Sequence, residues 1–153
     1  MRFDTRLSGM LHLLLHMVEN GEPVTSEAMA GYLRTNAVVI RRTMAGLRDA
    51  GLVRSEKGHG GGWVVARKPS EISLGDVYAA LGSPTLFAIG NRNENPNCLV
   101  EKAVNASLGE TLTEAEAMVV SRLHSISLAD VADTVGTGME EFKRVMSKGF
   151  KDV

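Results

Sequence analysis

Four of the five residues from Gly58 to Gly62 are glycine, and rich β-forming runs lie on both sides. Leu52-Val53-Arg54-Ser55 precedes the cluster, and Trp63-Val64-Val65-Ala66 follows it. Glycine reaches the left-handed conformations that tight turns need, so two such runs joined this way form a hairpin. The cluster leads into a second strand and not into a helix, which excludes a phosphate-binding loop. Any fold for this chain must therefore present a short, glycine-tipped β-ribbon.

Three helical patterns come before the ribbon. Thr5–Glu19 places Leu7, Met10, Leu11, Leu14, Leu15 and Val18 at helical spacing. Leu13 and Met17 widen its apolar surface, so this helix is expected between other elements or in an interface. Asn20-Gly21 ends it. A second, short helix starts at Val24-Thr25-Ser26-Glu27, with Thr25 as cap and Glu27 in the first turn, and finishes near Leu33. Thr35-Asn36 caps a third helix running to Ala50, with Val39, Ile40, Thr43 and Leu47 on one side and Gly51 as its stop.

After the ribbon, Ser73 is placed to cap a helix over Leu74–Leu81, and residues 82–97 are loop by composition. From about Cys98 to Ile126 the apolar residues Val100, Val104, Leu108, Leu112, Ala115, Val119, Leu123 and Ile126 recur every three or four positions. Thr113-x-x-Glu116 is a capping-box pattern, so this stretch is either one helix or two that break near Gly109–Thr113. Ser127 restarts a helix to about Val135, and Gly136-Thr137-Gly138 sets off a short amphipathic tail.

The formal charge of −1 conceals an asymmetry. Residues 1–70 hold ten Lys/Arg and six acids, whereas 71–153 hold seven and twelve. Between 34 and 68 the balance is eight basic to two acidic residues. A basic face on an otherwise acidic chain suits a polyanion better than a membrane, since no lipidation signal or amphipathic anchor accompanies it. The basic, then apolar, N-terminus resembles a signal peptide, but Asp4, His12, His16 and the lack of a small-x-small cleavage site before Pro23 oppose that reading. No stretch reaches the ~18 apolar residues needed to span a bilayer. A cytoplasmic protein is expected.

Three helices followed by a glycine-tipped hairpin is the order of a winged helix-turn-helix, mainly α with a small β wing. In that arrangement the N-terminal end of the third helix enters the major groove. Asn36, Val38, Val39, Arg41 and Arg42 fall in its first turns, while Ile40, Met44 and Leu47 anchor it behind. A bidentate Arg–guanine contact is worth ~1–3 kcal/mol of discrimination. Thr25 and Ser26 at the start of the second helix, and Lys57, His59 and Gly60 on the wing, complete the candidate DNA contacts. Arg41 and Arg42 on a solvated helix, or glycines that only make a turn, would each mean little singly. Their order and their place in the basic segment point to double-stranded DNA. Nothing resembles a catalytic set, and an enzyme is not expected.

Three runs then resemble one family: Ala50-Gly51-Leu52-Val53, Gly58-x-Gly60-Gly61-Gly62-Trp63-x-Val65-Ala66, and Ile72-Ser73-Leu74-Gly75-Asp76-Val77. They are similar to the Rrf2 family of bacterial winged-helix transcription regulators, of the IscR, NsrR and CymR type. Trp63 stands where the family usually has Tyr. The resemblance implies a DNA-binding domain over 1–81, a loop over 82–97 and a helical dimerisation region over 98–153. It implies a homodimer, joined largely by the long C-terminal helix, on a partly palindromic operator; the expected action is that of a repressor. Members that hold an iron–sulfur cluster carry three cysteines in the loop before the long helix. Here Asn91–Asn97 ends in Cys98, the only cysteine of the chain. Clusters want about four ligands, mostly thiolate, and His12, His16 or His59 would have to complete the set. The chain therefore looks like a cluster-free, single-cysteine branch without a cofactor. Two alternatives stay open: a module acting through a protein partner such as a metabolic enzyme, and an iron–sulfur or nitric oxide sensor with unusual ligands. The effector, protein or small molecule, is not specified.

Cys98 has two readings. With Asn97 as cap, the sulfur would sit in the first helical turn, where the dipole favours a reactive thiolate. Otherwise it is a small buried residue at a helix start. His12 and His16, at i and i+4, form a two-ligand face for a metal, but no third ligand at recognisable spacing follows, so packed or partly exposed histidines are expected. The eight methionines read as core filling.

Overall fold

Thr25, Asn36 and Ser73 each accept a hydrogen bond from a backbone amide of the helix that follows, from Ala28 (3.2 Å), Val38 (2.7 Å) and Asp76 (3.0 Å). Such caps satisfy amides that have no partner inside the helix. They set the starts of α2 (Ser26–Tyr32), α3 (Ala37–Asp49) and α4 (Leu74–Ala80) in a computed structural model that describes residues 4–136. α1 (Arg6–Asn20) precedes them, and α5 (Leu99–His124) follows. Residues 128–136 are again helical. Thr137, Gly138 and the expected amphipathic tail lie outside the described residues.

The ribbon is antiparallel, with β1 (Val53–Glu56) against β2 (Gly62–Val65) and Val53 opposite Val65. Both strands sit one residue closer to the turn than the sequence suggests, because Gly62 joins the ladder opposite Glu56. A Cβ on Gly62 would lie 2.7 Å from the Val24 backbone, so a side chain there would push the ribbon away. Val24 instead exchanges both backbone hydrogen bonds with Trp63, at 3.0 and 2.8 Å. The wing is thereby stitched to the segment that enters α2.

One core joins these elements. Met10, Leu13, Leu14 and Met17 from α1 meet Met29 of α2, Ile40, Met44 and Leu47 of α3, and Val77 of α4. Met10, Met17, Met29 and Met44 do fill this core, but Met118 on α5 is exposed, and Val39 does not face the core and is exposed. Leu128, beyond α5, is also fully buried in the same cluster. Its amide donates to Ile72 O, and the Leu74 amide donates to Ile126 O, so the chain returns to the body after α5.

α5 is one continuous helix of 26 residues. The break considered near Gly109–Thr113 does not occur. The hydroxyl of Thr111 bonds back to Ser107 O at 2.8 Å, satisfying it within the helix, and no proline interrupts the ladder. Tyr78, on α4, donates its hydroxyl to Pro84 O at 2.9 Å and so ties down the start of the loop before α5.

Candidate nucleic-acid interface

The first turns of α3 are polar or exposed on one side and locked on the other. Ile40, Met44 and Leu47 are at most 1% exposed, whereas Val38 is 65% and Val39 51% exposed. Arg41 and Arg42 are exposed as well. The helix is therefore held rigidly from behind while its N-terminal end stays available to solvent. Asn36 Oδ1 accepts a hydrogen bond from the Val38 amide, so its carbonyl oxygen is engaged in capping.

The two arginines differ. Arg41 forms a salt bridge with Glu27 in the first turn of α2. Arg42 forms none among the described residues. The Glu27–Arg41 pair joins the start of α2 to α3 across the helix-turn-helix, and no local sequence signal announced it. Between these helices Arg34 adopts a left-handed conformation with φ 51°, uncommon for a residue with a side chain.

On the wing, Lys57, His59 and Gly60 are exposed in the turn, Gly60 with φ 74°. Thr25 is exposed beside α2. Ser26 is the one proposed contact that lies elsewhere: it is 7% exposed, and its hydroxyl accepts the Trp63 indole N–H at 3.0 Å. Its role is to clamp the wing to α2, because the packing that buries it also supplies the indole. The partners are 37 positions apart in the chain, a separation at which sequence pattern carries no pairing information.

Cys98 is exposed, which removes the buried reading. It is also the N-cap of α5 itself, a place expected for Asn97. The amides of Glu101 and Val100, which face the sulfur, hold the thiol below its ordinary range, against a small opposing effect of burial. The thiolate is thus favoured by helix amides, as a group at this end should be.

His12 and His16 approach each other, Nε2 to Nε2, at 2.9 Å, and the Tyr32 hydroxyl lies 2.9 Å from the same His16 nitrogen. Burial and the neighbouring His12 lower the pKa of His16, with Glu19 opposing. Sequence spacing identified the two histidines; the phenol from α2 came only with the fold.

A family model described as "Iron-dependent Transcriptional regulator" and named Rrf2 matches residues 3–134. The chain is 34% identical over 129 residues to a Bacillus subtilis (strain 168) protein named as the HTH-type transcriptional regulator YwnA, covering 84% of this chain and 95% of that one. Among solved structures, IscR of T. potens aligns with a TM-score of 0.58 at 26% identity, over 88% of each chain. CymR, titled the global cysteine regulator of B. subtilis, aligns with a TM-score of 0.61 at 22% identity, over 88% of this chain and 98% of its own.

Proposed function

The chain belongs to the Rrf2 family of transcriptional regulators, and from that premise we propose that it is a cytoplasmic, homodimeric repressor that reads a partly palindromic operator. DNA binding and transcription regulation come with the family. The finer reading assigns base contacts to Val38, Val39, Arg41 and Arg42, and backbone contacts to Thr25, Asn36, Lys57, His59 and Gly60. The observation that carries it is the α3 start, exposed in front and fixed behind by Ile40, Met44 and Leu47. Such a rigid element presents side chains to base edges at low entropic cost. The wing clamp through Trp63 and Ser26 supports a second, fixed contact. Before Arg41 engages a base, its bond to Glu27 must open or reorganise.

The exposed apolar residues of α5 support the homodimer. Leu99, Val100, Val104 and Leu108 lie on a helix that has no buried residue. A soluble monomer rarely keeps such a continuous patch uncovered. Among the described residues no helix is long and apolar enough to cross a membrane.

An iron–sulfur cluster, one source of the iron dependence in the family description, does not fit the donors of this chain. Iron–sulfur clusters take about four ligands, mostly thiolate, and the sequence holds one cysteine. Among the described residues no three His, Cys, Asp or Glu side chains gather to hold a metal. Cys98 itself supports a thiol-based control: it is exposed, and the amides facing it favour the thiolate.

A gel shift with DNA flanking the chain's own gene tests the reading. If each protomer neutralises four phosphates, log K falls against log [salt] with a slope of ~−7. An affinity that ignores salt and sequence would overturn it. Repeating the shift with peroxide tests Cys98: a Cys98→Ser variant should lose the response, and an equal response in both proteins removes the thiol from the scheme.

A further inference from the structure

Two imidazoles and a phenol converge on one point of the surface where α1 meets the end of α2. His12 Nε2 and His16 Nε2 are 2.9 Å apart, and Tyr32 Oη is 2.9 Å from His16 Nε2. The rings touch in all three pairs, with centroids 4.8, 5.6 and 5.3 Å apart and planes tilted by 44°, 73° and 63°. The two imidazoles are tilted against each other and each meets the Tyr32 ring in a T-shaped contact, while the polar atoms at the ring edges come within hydrogen-bond distance of His16 Nε2. His12 and Tyr32 are exposed and His16 is half-buried, so water and ions reach the point.

Hydrogen bonding accounts poorly for this arrangement. A ring nitrogen offers one direction only, either one N–H or one lone pair. His16 Nε2 faces two partners at hydrogen-bond distance and cannot serve both well, whichever tautomer it adopts. A cation at the common point removes the conflict, because each of the three atoms then directs its own lone pair at the ion. The spacing suits this. Bonds of ~2.05 Å to two nitrogens 2.9 Å apart subtend about 90° at a metal, the angle of an octahedral or tetragonal ion. Opening the pair by about 0.4 Å would give the tetrahedral angle that zinc prefers.

We propose that His12 Nε2, His16 Nε2 and Tyr32 Oη form a binding site for one divalent transition-metal ion of the imidazole-preferring class, with water filling its remaining positions. Imidazole selects nickel, copper and zinc over magnesium and calcium, which take oxygen ligands in larger number. The site is separate from Cys98 and differs from a cluster site in having no thiolate. Its third donor comes from another helix, so a bound ion ties α1 to α2. That link distinguishes it from an ordinary histidine pair on one helix. The proposal goes beyond the DNA-binding reading and stands or falls separately from it.

The test is a calorimetric titration of the full, untagged chain carrying Cys98→Ser, first stripped with chelator, using Ni²⁺ as probe and Zn²⁺ in parallel. One ion per chain is expected. Even outer ligand partners change metal affinity ~10–100-fold, so His12→Gln and His16→Gln should each weaken binding by at least ~10-fold. Tyr32→Phe keeps the histidine pair and should lose a smaller but measurable factor of about 3–10. His59→Gln and His124→Gln should titrate like the parent. The phenol gives a second readout: the chain has two tyrosines, and Tyr78 is buried with its hydroxyl on Pro84 O. A phenolate difference spectrum on adding Ni²⁺ should therefore appear in the parent and vanish in Tyr32→Phe. Parent-like binding by His16→Gln overturns the site, and parent-like binding by Tyr32→Phe overturns the three-donor assignment. Circular dichroism of the metal-free variants separates loss of a ligand from loss of fold.

Discussion

The helix-turn-helix body and α5 handle their apolar residues in opposite ways. α1, α2, α3 and α4 each sink side chains into one shared core. α5 is the longest helix described, yet buries no residue, and Leu99 and Val100 are 80% and 72% exposed. Charge divides along similar lines, since the excess of basic residues lies before residue 70 and the excess of acids after it. Apart from Tyr32, Val38 and Val39, the body closes its large apolar side chains within one chain, while α5 presents an open face, and the proposed dimer is what would cover it. The near-neutral total is thus the sum of a basic region and an acidic one.

A charge placed on the open face of α5 should have the largest effect. Val104→Asp should convert the dimer to monomer in sedimentation equilibrium while leaving the helical signal of the body intact. Losing one of two linked half-site contacts costs avidity, so operator affinity should fall by about 100-fold or more. A variant that stays dimeric would show that α5 is not the covered surface. Next in size is a truncation inside the body. Leu47 is fully buried, and Leu47→Ala should cost ~2–5 kcal/mol in urea unfolding. Val100→Ala, made in the monomeric Val104→Asp background, should cost under ~0.5 kcal/mol. Similar costs at both positions would erase the distinction between a closed and an open surface.

Local rules made much of the body readable. Caps at Thr25, Asn36 and Ser73 act over two or three residues, and a glycine-dense turn between β-branched runs leaves few alternatives to a hairpin. What escaped depended on distance or on choices between similar local states. The Trp63–Ser26 bond and the Glu27–Arg41 pair join separate elements, and Tyr32 reaches His16 only after α1 and α2 pack. Thr113-x-x-Glu116 looks like a cap in sequence, but a capping box needs the backbone to leave the helix, and in α5 it does not. Asn97 and Cys98 illustrate the same difficulty, with the helix starting one residue later than the better cap suggests.

Within the body, the two candidate contact elements should separate by kind of loss. Arg42 forms no salt bridge among the described residues, and Arg42→Ala should remove ~1–3 kcal/mol of preference for operator over random DNA. Lys57→Ala should weaken both by a similar factor and reduce the salt slope by about 1. Fluorescence anisotropy on both DNAs checks this, and equal losses of preference would abolish the division between helix and wing. Ser26→Ala is a smaller change. It leaves the Trp63 N–H without its partner in a part-buried place, so about 1 kcal/mol of stability should be lost. Trp63 is the only tryptophan, and its emission should shift to the red as the wing loosens. Unchanged emission would mean that the Val24 bridge alone holds the wing.

The smallest effect tests the seam where α5 rejoins the body. Ser73 and Asp76 form a reciprocal capping box on α4, and Ser127 and Asp130 repeat it on the helical segment after α5. Ser73 and Ser127 also pair with each other, and the His124 ring packs where a Cβ on Gly75 would lie 2.4 Å from it. For Asp76, burial pushes the carboxyl up, but the Ser73 amide and hydroxyl, with the charges of His124 and Arg67, outweigh it and hold its pKa below 3.8. The unfolded chain therefore takes up the proton first as pH falls. Stability from this carboxylate is complete above the unfolded value and is lost as pH drops through the folded one. Asp76→Asn should cost ~0.3–1 kcal/mol at pH 7, the usual worth of a negative charge at a helix N-terminus. In acid the parent carboxyl is protonated too, so thermal melts of the two proteins should converge. A difference that persists undiminished in acid would assign the role of Asp76 to shape instead of charge, and would leave the return of the chain to the body resting on the apolar anchor Leu128.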